Sequence, residues 1–475
     1  MSIVIAHIAR AILRGGVWTG FCLIACASRL PAQSASGGPA ARADHVVLIS
    51  IDGMRPDFYR NSADWAAPTI QQMARGGVQA LGVRGVFPTV TYPSHTTLIT
   101  GAMPARHGVF YNAPFEPAGQ TGRWYWESST IRVPTLFTAL RSHGLKTAAV
   151  MWPVTQAAPV DYLVPEYWVL DPTVDRVETM RQASTPGLFD ELEREATGKL
   201  STARNFGGDD LTRDDRLGAM AAYLLETRKP ALVAVHLIST DHAQHEEGRD
   251  GATVHRAVGA VDRAVGQIME AAARAGILER TAFIITGDHG FVNTQTRVDP
   301  NVWLATAGLL DTTRSRGNWR AAFHVEGAAA FLQLRRAGDS ASVNAARRAI
   351  AAAPAAEQRL FRIVEREELD RIGADPSVAF ALSAVQGVRM GASASGRAIK
   401  PASGGTHGYF PSDFPEILTG FVGWGAGFRS GVVIPAMGLE DVAPLIAELL
   451  GVPFSAPDGV AHTGLLSPRG GRANP

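Results

Sequence analysis

Short apolar runs alternate with amphipathic stretches along most of this chain. Residues 45–51, 146–151, 232–238 and 282–286 are near-continuous hydrophobic segments. Such runs suit strands buried on both faces of a parallel sheet. Residues 82–88 are strand-like as well. Helices are expected over 67–75, 94–101, 135–143, 185–197, 211–228 and 254–276, the first of them stopped by Gly76-Gly77. The alternation predicts a doubly wound α/β fold, a mostly parallel sheet with helices on both faces. The pattern breaks between 298 and 402, a region rich in Ala, Arg and Gly with ordered-looking pieces at 323–334, 343–353 and 361–369. We read it as a cap inserted into the core. The core pattern resumes at 418–422 and in a helix over 439–450, closed by Gly451. The expected layout is a leader over 1–32, a flexible linker over 33–42, core over 43–297, cap over 298–402, core again over 403–466, and a disordered tail over 467–475. The sequence carries no internal repeat.

Composition narrows this picture. Hydrophobic residues make up 46% and charged residues 19% of 475 residues, a globular balance. The formal net charge of +1 offers no bulk field for a nucleic-acid polymer. A small anionic substrate would have to be held by local groups. The N-terminus has the form of an export signal, with Arg10 and Arg14 before an apolar stretch over 17–27 that is too short to span a bilayer. Cleavage after Ala27 or Ala32 would suit a signal peptide. Leu23-Ile24-Ala25-Cys26 instead resembles a bacterial lipobox, which would leave Cys26 lipidated; both readings stay open. Cys22 and Cys26 are the only two cysteines, so the rest of the chain has no disulfide and no thiolate chemistry. The expected location is exported: periplasmic or secreted, with a lipid anchor at Cys26 as the variant.

Six metal-type ligands follow the hydrophobic runs or stand in glycine-rich loops. Asp52 ends HVVLISID, Asp241 and His245 follow ALVAVHLIST, Asp288 and His289 follow TAFIITG, and His407 lies in GGTHGYF. Strand ends are where an α/β sheet opens its active-site edge. The i, i+4 pair Asp241 and His245 can share one helix face, although any such pair taken alone is more often a solvated face. Adjacent Asp288 and His289 converge only in a loop, which Gly287 and Gly290 make easy to build. Six ligands are too many for one tetrahedral ion and suit two. The stretch FPTVTYPSHTTLITG supplies a nucleophile, Thr91, near a helix start where amide N–H groups favour phosphate. A free threonine hydroxyl attacks poorly, and coordination to Zn²⁺ can make it an alkoxide. Thr89, Thr96 and Thr97 read more simply as capping or packing residues.

Taken together, these segments resemble the nucleotide pyrophosphatase/phosphodiesterase family (type I phosphodiesterases) of the alkaline phosphatase superfamily. The matching motifs are VLISIDGMRPD at 47–57, FPTVTYPSHTTLITG with the following PARHG, MWPV at 151–154, TDHAQH at 240–245, IITGDHGF at 284–291 and GTHGY at 405–409. The resemblance implies an alkaline-phosphatase-like fold and two Zn²⁺ ions. Asp241, His245 and His407 match the ligands of one ion. Asp52, Asp288 and His289 match those of the other, which also binds the Thr91 oxygen. Asn112 matches the amide that contacts a non-bridging phosphoryl oxygen, and Tyr92 matches the aromatic beside the nucleophile, where a base or another apolar leaving group rests. Core packing is the competing reading for Tyr92, and a turn position is the competing reading for Asn112. His242 is at most a neighbour of the ligands. His95 and His107 read as supports of the nucleophile helix.

The implied reaction is in-line displacement by Thr91 through a phosphothreonine, the leaving oxygen forming against the ion on Asp241, His245 and His407. A formylglycine sulfatase, which needs a Cys or Ser in C-x-P-x-R, is disfavoured, because the chain beyond the leader lacks Cys and Thr91 stands in a different context. Phosphomonoesterases of this fold add cationic side chains, which the MWPVT stretch lacks. Arg55 and Arg106 are candidates by type but read as structural. Diester or pyrophosphate substrates, nucleotide-type above all, are therefore favoured over monoesters and phosphonates. An inactive exported metal- or ligand-binding protein is the alternative of another class; the intact nucleophile and six ligands speak against it.

Overall fold

The strand His45–Ile51 is the axis of the molecule. It pairs in parallel with Leu232–Leu237 on one side and Thr281–Thr286 on the other. Val46 to Ile51 are all buried, as an apolar strand must be when helices cover both faces of its sheet. The computed structural model describes residues 40–116, 123–168, 171, 173–202, 206, 210–311 and 319–468. Eight strands form the main sheet, in the order Val432–Ile434, Val78–Ala80, Phe421–Gly425, Thr281–Thr286, His45–Ile51, Leu232–Leu237, Thr147–Val150 and Tyr162–Val164. Phe421–Gly425 runs antiparallel to both its neighbours, and the other pairs are parallel. The fold is a mostly parallel α/β sheet with helices on both faces, as the alternation predicts.

Side-chain alternation along the central strand builds two cores. Val47, Ile49 and Ile51 face a cluster containing Leu217 and Leu224 of helix Asp210–Arg228, with Val254, Val258 and Val261 of helix Ala252–Arg274. Val46 and Leu48 face the opposite cluster, with Leu98 and Ile99 of helix Thr91–Thr100, Phe137 of helix Leu136–Ser142 and Leu445 and Ile446 of helix Val442–Leu450. Period two in the strand against 3–4 spacing in the helices produces this layering directly.

Several boundaries move for local reasons. The helix expected from Ser94 starts at Thr91, because Pro93 is tolerated in a first turn where its missing N–H has no intrahelical partner. The strand-like run 82–88 reduces to Val83–Arg84, and a separate strand covers Val78–Ala80. The helix expected from 185 begins at Leu188 and closes in a π-turn at Glu193–Thr197. Within the region read as cap, an antiparallel sheet joins Ala321–Glu326, Ala329–Leu334, Ala381–Ala384 and Phe361–Val364. Its first hairpin leans on the segment that carries His407, where the Ala328 N–H donates to the His407 carbonyl at 2.8 Å. The leader with Cys26, most of the linker and nearly all of the tail lie outside the described residues. Among the described residues, no helix is long and apolar enough to cross a membrane.

Candidate metal centre and nucleophile

Three parallel strands end on one edge and deliver the acids. Asp52 follows the central strand directly, Asp288 lies two residues past Thr286, and Asp241 sits in the first turn of helix Ser239–Glu247 after Leu237. Backbone bonds lock the junction: the Asp52 N–H donates to the Leu237 carbonyl at 2.8 Å. Gly53 N–H and His289 N–H both donate to Asp288 Oδ1 at 3.0 Å. Gln244 Nε2 holds the Gly53 carbonyl at 3.0 Å, tying the helix to the turn after Asp52. Two glycines admit the remaining ligands. A Cβ on Gly290 would strike the Glu416 carbonyl, and one on Gly404, whose φ is +76°, would strike the His245 carbonyl. The chain can pass at these points only without a side chain.

All three ligand-type histidines point Nε2 into one volume. His245 Nδ1 meets the Gly405 carbonyl at 3.1 Å, His407 Nδ1 the Thr89 carbonyl at 2.9 Å, and His289 Nδ1 the Gly290 carbonyl at 3.1 Å. A carbonyl only accepts, so each Nδ1 carries the hydrogen and a neutral ring offers an Nε2 lone pair. Yet His245 Nε2 and His407 Nε2 stand 3.1 Å apart, and Asp241 Oδ1 lies 3.4 and 3.5 Å from them. His289 Nε2 is 3.2 Å from Asp52 Oδ1, 3.3 Å from Asp288 Oδ2 and 4.0 Å from Asp241 Oδ1. Asp52 Oδ1, Asp241 Oδ1, Asp288 Oδ2 and His289 Nε2 are buried without a hydrogen-bond partner. Buried acceptors facing acceptors are unfavourable unless a cation or a proton lies between them. The donor atoms of Asp241, His245 and His407 lie within 4.8 Å of one another, as do those of Asp52, Asp241 and His289. Carboxylate oxygens and imidazole nitrogens form a donor set that suits zinc-like cations. The structure thus brings all six sequence-derived ligands together, with Asp241 reaching both groups.

Electrostatics reports the same crowding. Burial and the Asp52 charge push Asp288 up to about 7 and hold Asp241 well above the usual carboxylate range. Burial would also raise Asp52, but hydrogen bonding and charge from His236 and His289 hold it well below that range. Burial opposes charge on His289, yet Asp288 and Asp52 lift it to about 9. His245 is driven down to about 4, chiefly by burial. Without a metal, protons must do the neutralising.

Thr91 is the first residue of its helix and is 8% exposed. Its neighbours bracket it against the ligands. His407 Nδ1 donates to the Thr89 carbonyl, and His95 Nδ1 donates to the Thr91 carbonyl at 2.8 Å while standing 3.8 Å from Asp288 Oδ2. The rival hydroxyls are occupied: Thr89 donates to Tyr409, Thr96 to Tyr92 and Thr97 to Ala102, all backbone carbonyls. Asn112 Oδ1 accepts the Tyr92 N–H at 2.9 Å, which puts this amide at the same helix start. Tyr92 is 1% exposed, with the Trp124 ring edge-on at 5.0 Å; its face is packed, and the partly exposed Trp124 covers it. His107 bonds Thr97 within the helix support. His242 is exposed beside Glu246. Arg55 is buried in bonds to Asp57, Gln244 and the Arg249 carbonyl, and exposed Arg106 pairs with Asp458.

Two supporting residues escaped sequence reasoning. His236 hydrogen-bonds Asp52, and Asp214, wholly buried, accepts the N–H groups of Ile238 and Ser239 at 2.9 Å each. Asp214 thereby caps the helix that carries Asp241 and His245. Nothing in the local pattern of LTRDDRLG marks it; a histidine inside an apolar strand was the only available signal for His236.

Known proteins share this architecture. The profile of the type I phosphodiesterase / nucleotide pyrophosphatase family matches residues 46–409. The chain is 25% identical over 282 residues to mouse ectonucleotide pyrophosphatase/phosphodiesterase family member 3, covering 57% of this chain and 27% of that protein. It is 26% identical over 265 residues to mouse member 7, covering 54% of this chain and 52% of that one. Bovine bis(5'-adenosyl)-triphosphatase is 24% identical over 255 residues, covering 52% of this chain and 47% of that protein. The chain therefore aligns with between about a quarter and a half of the length of these relatives. Human ectonucleotide pyrophosphatase/phosphodiesterase 5 superposes with a TM-score of 0.64 at 18% identity, over 89% of this chain and all of that one. The murine counterpart, an inactive threonine-to-alanine variant in complex with AMP, superposes at 0.63 with 19% identity, covering 89% of this chain and 100% of that one.

The Asp214 cap yields a pH test. Burial raises its carboxyl to about 6 in the fold, above an unfolded value near 3.9. The folded state then holds the proton more tightly, so this group's contribution to stability falls as pH rises from about 4 to 6 and levels off above. Chemical denaturation of wild type and Asp214→Asn across that range should give a stability difference that shifts against wild type with rising pH. A difference independent of pH would refute the assignment.

Proposed function

The chain belongs to the type I phosphodiesterase / nucleotide pyrophosphatase family, and we propose that it is an exported two-zinc hydrolase of phosphodiester or pyrophosphate bonds, nucleotide-type substrates favoured. The observation that carries this reading is the convergence of six ligand-type side chains, four of which hold buried donor atoms without partners. Asp241, His245 and His407 would hold one Zn²⁺; Asp52, Asp288 and His289 the other, together with the Thr91 oxygen. When bound, the ions supply Lewis-acid charge that lowers the pKa of a coordinated hydroxyl and neutralises developing negative charge.

The chain's own residues do the rest. Thr91 Oγ1 gives up its proton to solvent and attacks phosphorus, the bond to the leaving oxygen breaks, and that oxygen takes a proton from solvent. A water then loses a proton as it attacks the phosphothreonine, the phosphorus–Oγ1 bond breaks, and Oγ1 takes up a proton to restore the Thr91 hydroxyl. Asn112 Oδ1 is engaged by the Tyr92 N–H, so its Nδ2 hydrogens are left for a non-bridging phosphoryl oxygen, beside the Thr91 N–H. The engagement of Arg55 and Arg106 elsewhere supports a diester, which carries one charge less than a monoester. Trp124, edge-on against the buried Tyr92, would line the side where an apolar leaving group rests, with Tyr92 as its backing. The AMP complex of the murine structure and the diadenosine triphosphatase name of the bovine relative favour nucleotides.

We also take 43–297 and 403–466 as one catalytic core and 298–402 as a cap inserted between ligands His289 and His407, consistent with its separate antiparallel sheet. Residues 1–32 would direct export to the periplasm or beyond, with lipidation at Cys26 as the variant and 33–42 as linker.

Replacing Thr91 with Ala should cut turnover by at least about a thousandfold while two zinc equivalents remain; retained turnover would remove the nucleophile assignment. On nitrophenyl thymidine phosphate, kcat/KM should exceed that on nitrophenyl phosphate by at least about tenfold, and the reverse order would make the protein a monoesterase. Intact-mass analysis after expression in a bacterial host should find the product outside the cytoplasm and shortened before Gln33 or carrying lipid at Cys26. An unprocessed cytoplasmic chain would contradict export.

A further inference from the structure

The strand Leu232–Leu237 has one polar member, His236, which is 1% exposed. A buried imidazole in an apolar strand is costly unless its nitrogens are engaged. Here both meet acceptors: Nε2 lies 3.1 Å from Asp52 Oδ2, and Nδ1 lies 3.3 Å from the Met151 carbonyl. Met151 itself sits at φ +53°, a left-handed conformation rare outside glycine. The ring is walled in. His95 packs on it with centroids 4.2 Å apart, and Trp152 backs His95 at 4.9 Å. Strand register sets the reach, since His236 lies opposite Ser50, two residues before Asp52.

We infer that His236 is a positioning residue that makes Asp52 a one-oxygen ligand. A free carboxylate can ligate through either or both oxygens. Donation from His236 occupies Oδ2 and leaves Oδ1, buried and unpartnered, turned toward His289 Nε2 at 3.2 Å. The same ring abuts His95, whose Nδ1 holds the Thr91 carbonyl. One wall of side chains thus sets both a ligand and the helix that bears the nucleophile. Hydrogen bonds to ligating groups fix their orientation and basicity, and their removal costs about 10–100-fold in metal affinity.

This inference rests on the two-zinc reading, and the test separates the two. Full-length metal-free protein is titrated with zinc against a chromophoric chelator, for wild type, His236→Phe, His236→Gln and His236→Asn. Wild type should bind two tight equivalents. His236→Phe should weaken one equivalent by about 10–100-fold and leave the other within about threefold. A glutamine amide nitrogen reaches the place of Nε2, so His236→Gln should restore that equivalent to within about threefold of wild type. Asparagine reaches only the place of Nδ1 and should behave like phenylalanine. Should His236→Phe not fold, the contrast between the two amides decides, because both are polar and smaller than the ring. Failure of wild type to bind two equivalents would sink the zinc reading itself. Two wild-type equivalents with glutamine and asparagine variants indistinguishable would overturn the role of His236 alone.

Discussion

Three carboxylates and three imidazoles crowd one largely buried volume, and that crowding is the constraint on which the structure turns. Asp52, Asp241 and Asp288 cannot all be ionised there without positive charge nearby, which is why burial and mutual repulsion push two of them up while His236 and His289 hold the third down. Each histidine ring is fixed by a backbone carbonyl at Nδ1, so none can turn away to relieve the contact. A cation lying between these groups would relieve the repulsion.

The scaffold holds the repelling groups from several directions. Three adjacent parallel strands bring the acids to one edge. Asp214 holds the start of the helix bearing Asp241 and His245, and Gln244 ties that helix to Gly53. The hairpin after Ala321–Glu326 presses on the His407 carbonyl, so the cap sheet helps set a ligand that lies far from Asp52 in sequence. The inserted region is therefore bound to the site's geometry.

Thr91, the proposed nucleophile, is placed by a different device. Thr91 begins a helix whose hydroxyl-bearing residues Thr96 and Thr97 spend their side chains on nearby carbonyls. Pro93 is tolerated within the first turn, so the helix can begin at Thr91. This start brings an amide-rich terminus, with Asn112 bonded to it, to the threonine that the motif singles out.

Much of this was legible in the chain. Apolar runs dictated the strands, because a strand buried on both faces admits few polar residues. The acids and histidines at their ends announced the site, because parallel strands share one C-terminal edge. Family motifs supplied Asn112 and the grouping of ligands. Tertiary structure alone decided which side chains support which: that Asp214 caps the ligand helix, that His236 reaches Asp52, that Tyr92 is covered by Trp124, and that Asp241 stands between two ligand groups. Such contacts join residues far apart along the chain. No periodicity encodes them, since they depend on register between strands and on which rotamer survives packing.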